Sequence, residues 1–173
     1  MNRKLLWGVN SIILVLLIIS ISISYRYLNP SETLMLNCSS ELFDRHKGDS
    51  DKGRHYLLVD VIAKGKQAQF NYRYFNLDGS SAGNIRMKGS LLNYDSDANR
   101  YSFSVKTKEE SEVEDEQRQP EHMQYLSYVS SFNLDNKGMH NLSIETLDLD
   151  EQKDYAIVLF QPSNTVCGCR LVH

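Results

Sequence analysis

Residues 68–105 read AQFNYRYFNLDGSSAGNIRMKGSLLNYDSDANRYSFSV and carry the clearest secondary-structure signal of the chain. Apolar and polar side chains alternate along 68–74, 85–91 and 101–105. Alternation with a period of two is typical of strands that bury one face. Short turns join the three stretches, and Asp78-Gly79 supplies the positive φ that a tight hairpin requires. The segment therefore predicts three consecutive antiparallel strands.

Strand character continues on both sides of this segment. Further strands are predicted at 33–39, 56–63, 139–147, 155–160 and 166–172. Residues 121–134 stay ambiguous, because Met123, Leu126, Val129 and Phe132 fit a helical stripe while the Tyr, Val and Ser content favours a strand. The sequence predicts a mainly β domain over 33–173, an antiparallel β-meander that forms a curved sheet or a partial barrel.

The apolar stretch 5–24, LLWGVNSIILVLLIISISIS, contains fourteen large apolar side chains and no charge. As a helix it would be about 30 Å long, the thickness of a bilayer's hydrocarbon core. Arg3 and Lys4 precede it, and only Arg26 follows closely, so the positive-inside tendency puts residues 1–4 in the cytoplasm. We expect a transmembrane helix at 5–24, a juxtamembrane linker at 25–32 and a periplasmic domain at 33–173, anchored in a bacterial inner membrane.

A cleaved signal peptide is the alternative, because Ser22-Ile23-Ser24 offers small residues at a cleavage spacing. The apolar stretch is longer than the roughly 7–15 residues of a signal peptide's apolar region, which favours a retained anchor. Within it, Asn10 and the small pair Ser20 and Ser24 are candidates for packing against a neighbouring helix.

Charge and composition exclude several classes of partner. Without Arg3 and Lys4, seventeen basic residues face twenty-two acidic ones, a formal charge of −5. Since no Lys/Arg run or basic stripe exists, nucleic acid is not an expected partner. The stretch Glu109–Glu116 holds six acidic groups and precedes Pro120. It predicts a mobile, solvated loop at about 109–119.

Three cysteines, Cys38, Cys167 and Cys169, stand near the two ends of the predicted domain. In an oxidising compartment a disulfide is expected from Cys38 to either Cys167 or Cys169, and the third thiol then stays free. Such a bond would close a loop of about 130 residues and stabilise the fold by about 4–5 kcal/mol.

Chemistry-bearing patterns are sparse. His46 and His55 flank a polar loop with Asp44, but their spacing matches no metal-binding motif, so a solvated loop is expected. No nucleophile, paired-carboxylate or phosphate-binding motif appears, and we expect no catalytic residues, no metal and no cofactor. The candidate partner or ligand surface is the apolar face of the predicted sheet, formed by Phe70, Tyr72, Tyr74, Met87, Tyr101 and Phe103.

The layout resembles the FidL-like membrane proteins of enteric bacteria: a short basic stub, one anchor, a cysteine soon after it and a β-rich exported domain. The most similar patterns are Asn84–Leu91 (NIRMKGSL) with its following strand, and the apolar strand that precedes a cysteine in Tyr155–Cys167. The acidic stretch 109–116 and Cys169 depart from the family pattern.

The resemblance implies an accessory role rather than catalysis, because FidL-like proteins accompany membrane-spanning transcription regulators of the ToxR and CadC kind. By analogy with ToxS-like helpers, the domain would bind the regulator's periplasmic part. An alternative is a binding module for a small amphiphile held inside the curved sheet, lined by the apolar face named above.

Overall fold

The alternating stretches become eight antiparallel strands in the structure, a computed structural model that describes residues 3–28, 33–44, 53–111 and 119–172. Two α-helices accompany them in the described residues, α1 (Arg3–Leu28) at the N-terminus and α2 (Glu121–Lys137) between the fifth and sixth strands, and a short 3-10 helix (Glu151–Lys153) follows the sixth strand. The strands are β1 (Thr33–Phe43), β2 (Arg54–Lys64), β3 (Gln67–Asn76), β4 (Ser81–Asp95), β5 (Arg100–Glu110), β6 (His140–Asp150), β7 (Tyr155–Gln161) and β8 (Thr165–Leu171).

Each strand pairs with the next one along the chain, and β8 pairs with β1, so the meander closes into a barrel. The prediction of a mainly β antiparallel meander is confirmed. The predicted curved sheet or partial barrel is corrected to a closed barrel. The reason is that β1 and β8 pair with each other, so neither is an edge strand where they pair. This closing seam is short: β1 and β8 pair only from Leu36–Leu171 to Ser39–Gly168.

The barrel interior is filled by the inward-facing residue of each alternating pair. Phe70 and Phe103 meet edge to face with their ring centroids 5.0 Å apart, and Tyr72 meets Phe160 at 6.2 Å. Edge-to-face contacts at these separations are favourable for aromatic rings. All four of these side chains are at most 1% exposed, and they belong to one apolar core that extends through the barrel.

The ambiguous segment 121–134 is helical and lies within α2. Its buried residues Met123, Leu126 and Ser130 recur with helical spacing, and the first two join the barrel core. Burial of this stripe outweighs the modest strand preference of Tyr and Val. Gly138 ends the helix with a φ of 66°, a conformation that favours glycine.

α2 closes one end of the barrel. It contacts β4, β5 and β6, and its first turn is hydrogen-bonded to residues at the ends of β1, β3 and β8. The opposite end of the barrel carries Thr33, where β1 begins, together with the turns β2–β3, β4–β5 and β6–β7. The chain therefore enters the barrel at the end away from α2.

The chain divides into two compact units, Met1–Glu32 and Thr33–His173. The first contains α1, which begins at Arg3 and ends at Leu28 and so includes four residues assigned to the linker from sequence. Within residues 3–28, 33–44, 53–111 and 119–172, no helix meets the length and hydropathy needed to cross a membrane. The transmembrane helix expected at 5–24 is thus not confirmed, although that stretch is helical.

The prediction of an acidic loop at about 109–119 is wrong at its first two residues. Glu109 and Glu110 belong to β5, where Glu109 pairs with Lys88 and Glu110 pairs with Lys108. Lys88 lies on the neighbouring strand β4, so its ion pair with Glu109 crosses the ladder, whereas Lys108 pairs with Glu110 along β5 itself. Residues 112–118 lie outside the described residues.

Gly89 marks a register shift between β4 and β5. A Cβ atom there would lie 2.1 Å from the backbone oxygen of Ser104, so the two strands can approach this closely only if residue 89 is glycine. We expect Gly89→Ala to lower the free energy of unfolding by about 2–4 kcal/mol, measured by urea denaturation. Gly168→Ala is the matched control, because its Cβ would meet Tyr155 at an ordinary 3.5 Å. Equal stability of the two variants would contradict this expectation.

Candidate functional site

The candidate site is a cleft at the α2 end of the barrel, between β1 and the start of β8. Its volume is about 630 Å³. The cleft lies where β1 and β8 have stopped pairing, and the first turn of α2 forms its third wall. Its lining residues are Ser40, Leu42, Phe43, Asp44, Glu121, His122, Tyr125, Ser163, Asn164, Thr165 and Val166.

His122 is the centre of a hydrogen-bonded chain that joins α2 to β3 and β8 beside the cleft. Its Nδ1 lies 2.9 Å from the Tyr74 hydroxyl, and its Nε2 lies 2.6 Å from Thr165 Oγ1. Thr165 Oγ1 in turn donates to Ser163 Oγ over 3.0 Å. Because the Thr165 hydroxyl donates to Ser163, it accepts a hydrogen bond from His122 Nε2–H. The Tyr74 hydroxyl then donates to Nδ1, and this assignment makes the imidazole neutral.

Burial lowers the pKa of His122 to about 4, because the interior does not solvate an imidazolium. Burial also raises the pKa of Tyr74 well above its usual value. Both groups are thus uncharged at neutral pH. With its two nitrogens occupied, His122 holds α2 against β3 and β8 and positions this wall of the cleft.

Asp44 forms the second link between α2 and the barrel. Its Oδ1 accepts the backbone N–H of Glu121 over 3.0 Å, and its Oδ2 lies 3.3 Å from His55 Nε2. Both side chains are at most 3% exposed. The solvated loop expected around Asp44 and His55 is therefore wrong at these two residues. Asp44 follows β1 directly and His55 lies in β2, so the two side chains meet next to the first turn of α2. His46 lies outside the described residues.

The six residues of the candidate partner or ligand face lie on the inner side of the barrel. Phe70, Tyr72, Tyr74, Met87 and Phe103 are at most 1% exposed, and Tyr101 is half-buried against Phe103. An exposed partner surface made of the first five is thus wrong, because barrel closure turns the apolar face inward. The cavity that they were expected to line is occupied by their own packed side chains.

The disulfide joins Cys38 to Cys169, which confirms one of the two expected pairings. These residues are direct partners across the β1–β8 seam, so the bond fastens the strands that close the barrel. Cys167 is free and buried, and burial raises the pKa of its thiol to about 12. Its thiolate is scarce at neutral pH, so this residue has little nucleophilic reactivity.

The remaining candidates lie on α1, where Asn10, Ser20 and Ser24 are exposed. No group of three or more potential metal ligands occurs in the described part of the chain. Comparison with models of known protein families gave no match. A search of curated proteins found none with significant similarity.

The residues that build the cleft were not found from the sequence. His122, Tyr74 and Thr165 are separated by more than forty positions from one another, so no spacing motif links them. Pro120 followed by Glu121 is a helix-start signal that would have placed His122 in the first turn of a helix.

Proposed function

We propose that the protein is a single-pass inner-membrane protein, FidL-like in its layout, whose periplasmic barrel binds and modulates a membrane-spanning transcription regulator. The observation that carries the binding role is the open cleft of about 630 Å³ at the α2 end of the barrel. The cleft lies at the end away from Thr33, where the chain enters the barrel.

The disulfide supports export of the barrel. Disulfides form and persist in oxidising compartments, and the Cys38–Cys169 bond links the two strands that close the fold. A bacterial periplasm supplies that oxidising environment. The proposed orientation, with residues 1–4 in the cytoplasm, places both cysteines there.

The proposed anchor is the apolar stretch 5–24 within α1. At 26 residues α1 is about 39 Å long. Its described large apolar side chains, from Trp7 to Ile21, are 49–76% exposed. So much exposed apolar surface is typical of a segment that contacts lipid or another protein.

The outer face of α2 supports a protein partner. Tyr125, Tyr128 and Phe132 are 46%, 70% and 53% exposed, and the rings of the last two are stacked at 6.3 Å. Aromatic side chains are enriched at protein interfaces because they bury a large area with few rotatable bonds. The stripe begins at the rim of the cleft, since Tyr125 lines it.

The test is complementation in cells that carry the proposed partner, a membrane-spanning transcription regulator. Deletion of the gene should change the regulator's response, and the wild-type chain should restore it and co-purify with the regulator from membranes. The double variant Tyr128→Glu, Phe132→Glu should restore little of the response, because two carboxylates would have to be buried at the interface. Leu147→Glu is the control, since Leu147 is also about half exposed but lies towards the opposite end of the barrel, in β6.

Two results would count against this function. One is a regulator response that does not change on deletion. The other is a reporter fused to the C-terminus that is active only in the cytosol, since the barrel would then be on the wrong side of the membrane.

A small amphiphile is the second candidate, now at the cleft rather than inside the barrel. The cleft volume falls in the range of small-molecule sites, and its walls combine apolar Leu42, Phe43 and Val166 with the hydroxyl groups of Ser163 and Thr165. Titration of the full chain with a fluorescent fatty acid tests this candidate. Saturable binding that Val166→Glu abolishes would support it, and absence of binding would remove it.

A further inference from the structure

All three histidines of the described residues lie where α2 meets the barrel. His122 is in the first turn of α2, His55 lies at the start of β2 against Asp44, and His140 begins β6 shortly after α2 ends. The His55 and His140 side chains are at most 2% exposed. The side chains that titrate nearest to neutral pH are therefore gathered at one contact between two parts of the fold.

Two of these rings link α2 directly to the barrel. His122 contacts Tyr74 of β3 and Thr165 of β8 through its two nitrogens. At the other end of the helix, His140 Nδ1 lies 3.1 Å from the side-chain nitrogen of Asn133 in α2. An amide nitrogen donates hydrogen bonds and does not accept them, so this contact requires an unprotonated Nδ1. The docked helix thus fits neutral histidines at both of its ends.

The groups that face His122 do not favour its protonation. The hydroxyl groups of Tyr74 and Thr165 reach the ring from β3 and β8. Glu121 precedes His122 in α2, and Asp44 at the end of β1 accepts the Glu121 N–H. Although these two carboxylates are close in the fold, burial keeps the pKa of His122 at about 4.

The groups that face His140 oppose its protonation as well. Burial and then the Lys108 ammonium lower the pKa of His140. Lys108 extends from β5 to α2, where its Nζ donates to the backbone oxygen of Ser127 over 3.1 Å. Glu110 of β5 pairs with Lys108 and offsets part of its charge. A protonated His140 would therefore add a second positive charge near Lys108, at the contact between β5 and α2.

α2 can separate from the barrel while the strands stay paired. The eight strands close through their own ladders, and the Cys38–Cys169 bond fastens the seam. α2 adds Met123 and Leu126 to the core, and both are at most 1% exposed. Burial of two such side chains contributes about 3–6 kcal/mol. Loss of the helix is thus a local opening, which requires less free energy than unfolding of the whole fold.

We propose that α2 is an acid-released lid: protonation of His122 and His140 separates the helix from the barrel and removes the α2 wall of the cleft. This inference rests on the proposed function, since the cleft is the proposed binding site, and it names the regulation of that site. Separation exposes both rings to water, where an imidazole binds a proton below about pH 6.5. Acid therefore favours the separated state, and a partner that contacts α2 is released.

The test is hydrogen exchange by mass spectrometry on the full chain in lipid nanodiscs at pH 7.5 and pH 4.5, corrected for intrinsic exchange rates. The opening constant of α2 should rise about 70-fold on acidification through His122 alone, because its pKa is about 4 when docked and about 6.5 when exposed. Amides of β2 and β3 should stay at least about tenfold better protected than those of α2 at pH 4.5. Equal opening constants for helix and strands would overturn the proposal, because α2 would then leave only when the barrel unfolds.

The double variant His122→Gln, His140→Gln removes both rings that titrate. Glutamine keeps a hydrogen-bonding side chain but binds no proton in this range, so the opening constant of α2 should change less than about threefold between the two pH values. His55→Gln is the matched control, since His55 is buried at the same end but lies 3.3 Å from the Asp44 carboxylate. It should keep the wild-type response. If the double variant does not fold, His122→Gln alone should lose the 70-fold change, and a wild-type response in either variant would overturn the proposal.

The two proposals can fail separately. The regulator should co-purify less at pH 4.5 than at pH 7.5 with the wild type, and equally at both pH values with the double variant. If α2 of the wild type stays protected at pH 4.5, the lid proposal is wrong and the accessory function stands on the regulator's response. If α2 separates in acid but deletion leaves the regulator's response unchanged, the accessory function is wrong and the lid remains a property of the barrel.

Discussion

The double variant Cys38→Ser, Cys169→Ser is expected to lose about 4–5 kcal/mol of unfolding free energy, measured by urea denaturation without reductant. The bond closes a loop with a sequence separation of 131 residues, and removing it restores that loop's entropy to the unfolded chain. The loss is a large fraction of the stability of a typical domain, so the variant should be partly unfolded at growth temperature.

The location of the disulfide in the barrel is a second reason to expect a large loss of stability. Only four residue pairs connect β1 to β8, whereas eleven connect β1 to β2. The disulfide is thus placed on the shortest ladder that contains β1, where separation of the strands would open the barrel. Hydrogen exchange in the variant should therefore rise first in β1 and β8.

The third cysteine provides the control. Cys167→Ala keeps the disulfide and should cost only about 1 kcal/mol, because a small buried side chain is shortened. Dithiothreitol should destabilise the wild type and Cys167→Ala by several kcal/mol, with no effect on the double variant. A double variant as stable as Cys167→Ala, or a wild-type peptide map with Cys38 bonded to Cys167, would contradict this prediction.

The strands were predictable because each carries its own signal. The alternation at 68–74 and 101–105 predicts strands with one buried face, and that face is buried in an open sheet and in a closed barrel alike. Closure was not predictable from these patterns, because an open curved sheet and a barrel bury the same alternating positions. What decides between them is the pairing of β1 with β8, a contact between segments more than 120 residues apart.

The difference between local patterns and contacts of distant segments also explains why the cleft was not predicted. Local patterns correctly gave an apolar face through Phe70 and Phe103 but could not tell an interior surface from an exposed one. The cleft depends on where a ladder stops, at Ser39–Gly168, and on which helix turn covers the gap. Neither property leaves a periodic signal in the sequence. His122 carries no motif because its partners come from β3 and β8.

The stability of the barrel should fall by about 3 kcal/mol between pH 7.5 and pH 4 through His122 alone. The pKa of this group is about 4 in the folded chain and about 6.5 in the unfolded chain. The unfolded state therefore binds more protons between these values, so stability is full above pH 6.5 and falls as the pH drops towards 4. Each pKa unit corresponds to about 1.4 kcal/mol.

A direct measurement is the NMR titration of the His122 ring, whose midpoint should lie near pH 4. The paired variant is His122→Gln, which is less stable at pH 7.5 but should lose about 3 kcal/mol less than the wild type on acidification. Burial also lowers the pKa of His140, and His140 is present in both proteins, so the difference between the two profiles isolates His122. A ring midpoint near 6.5, or parallel stability profiles, would show that burial does not lower the pKa of His122.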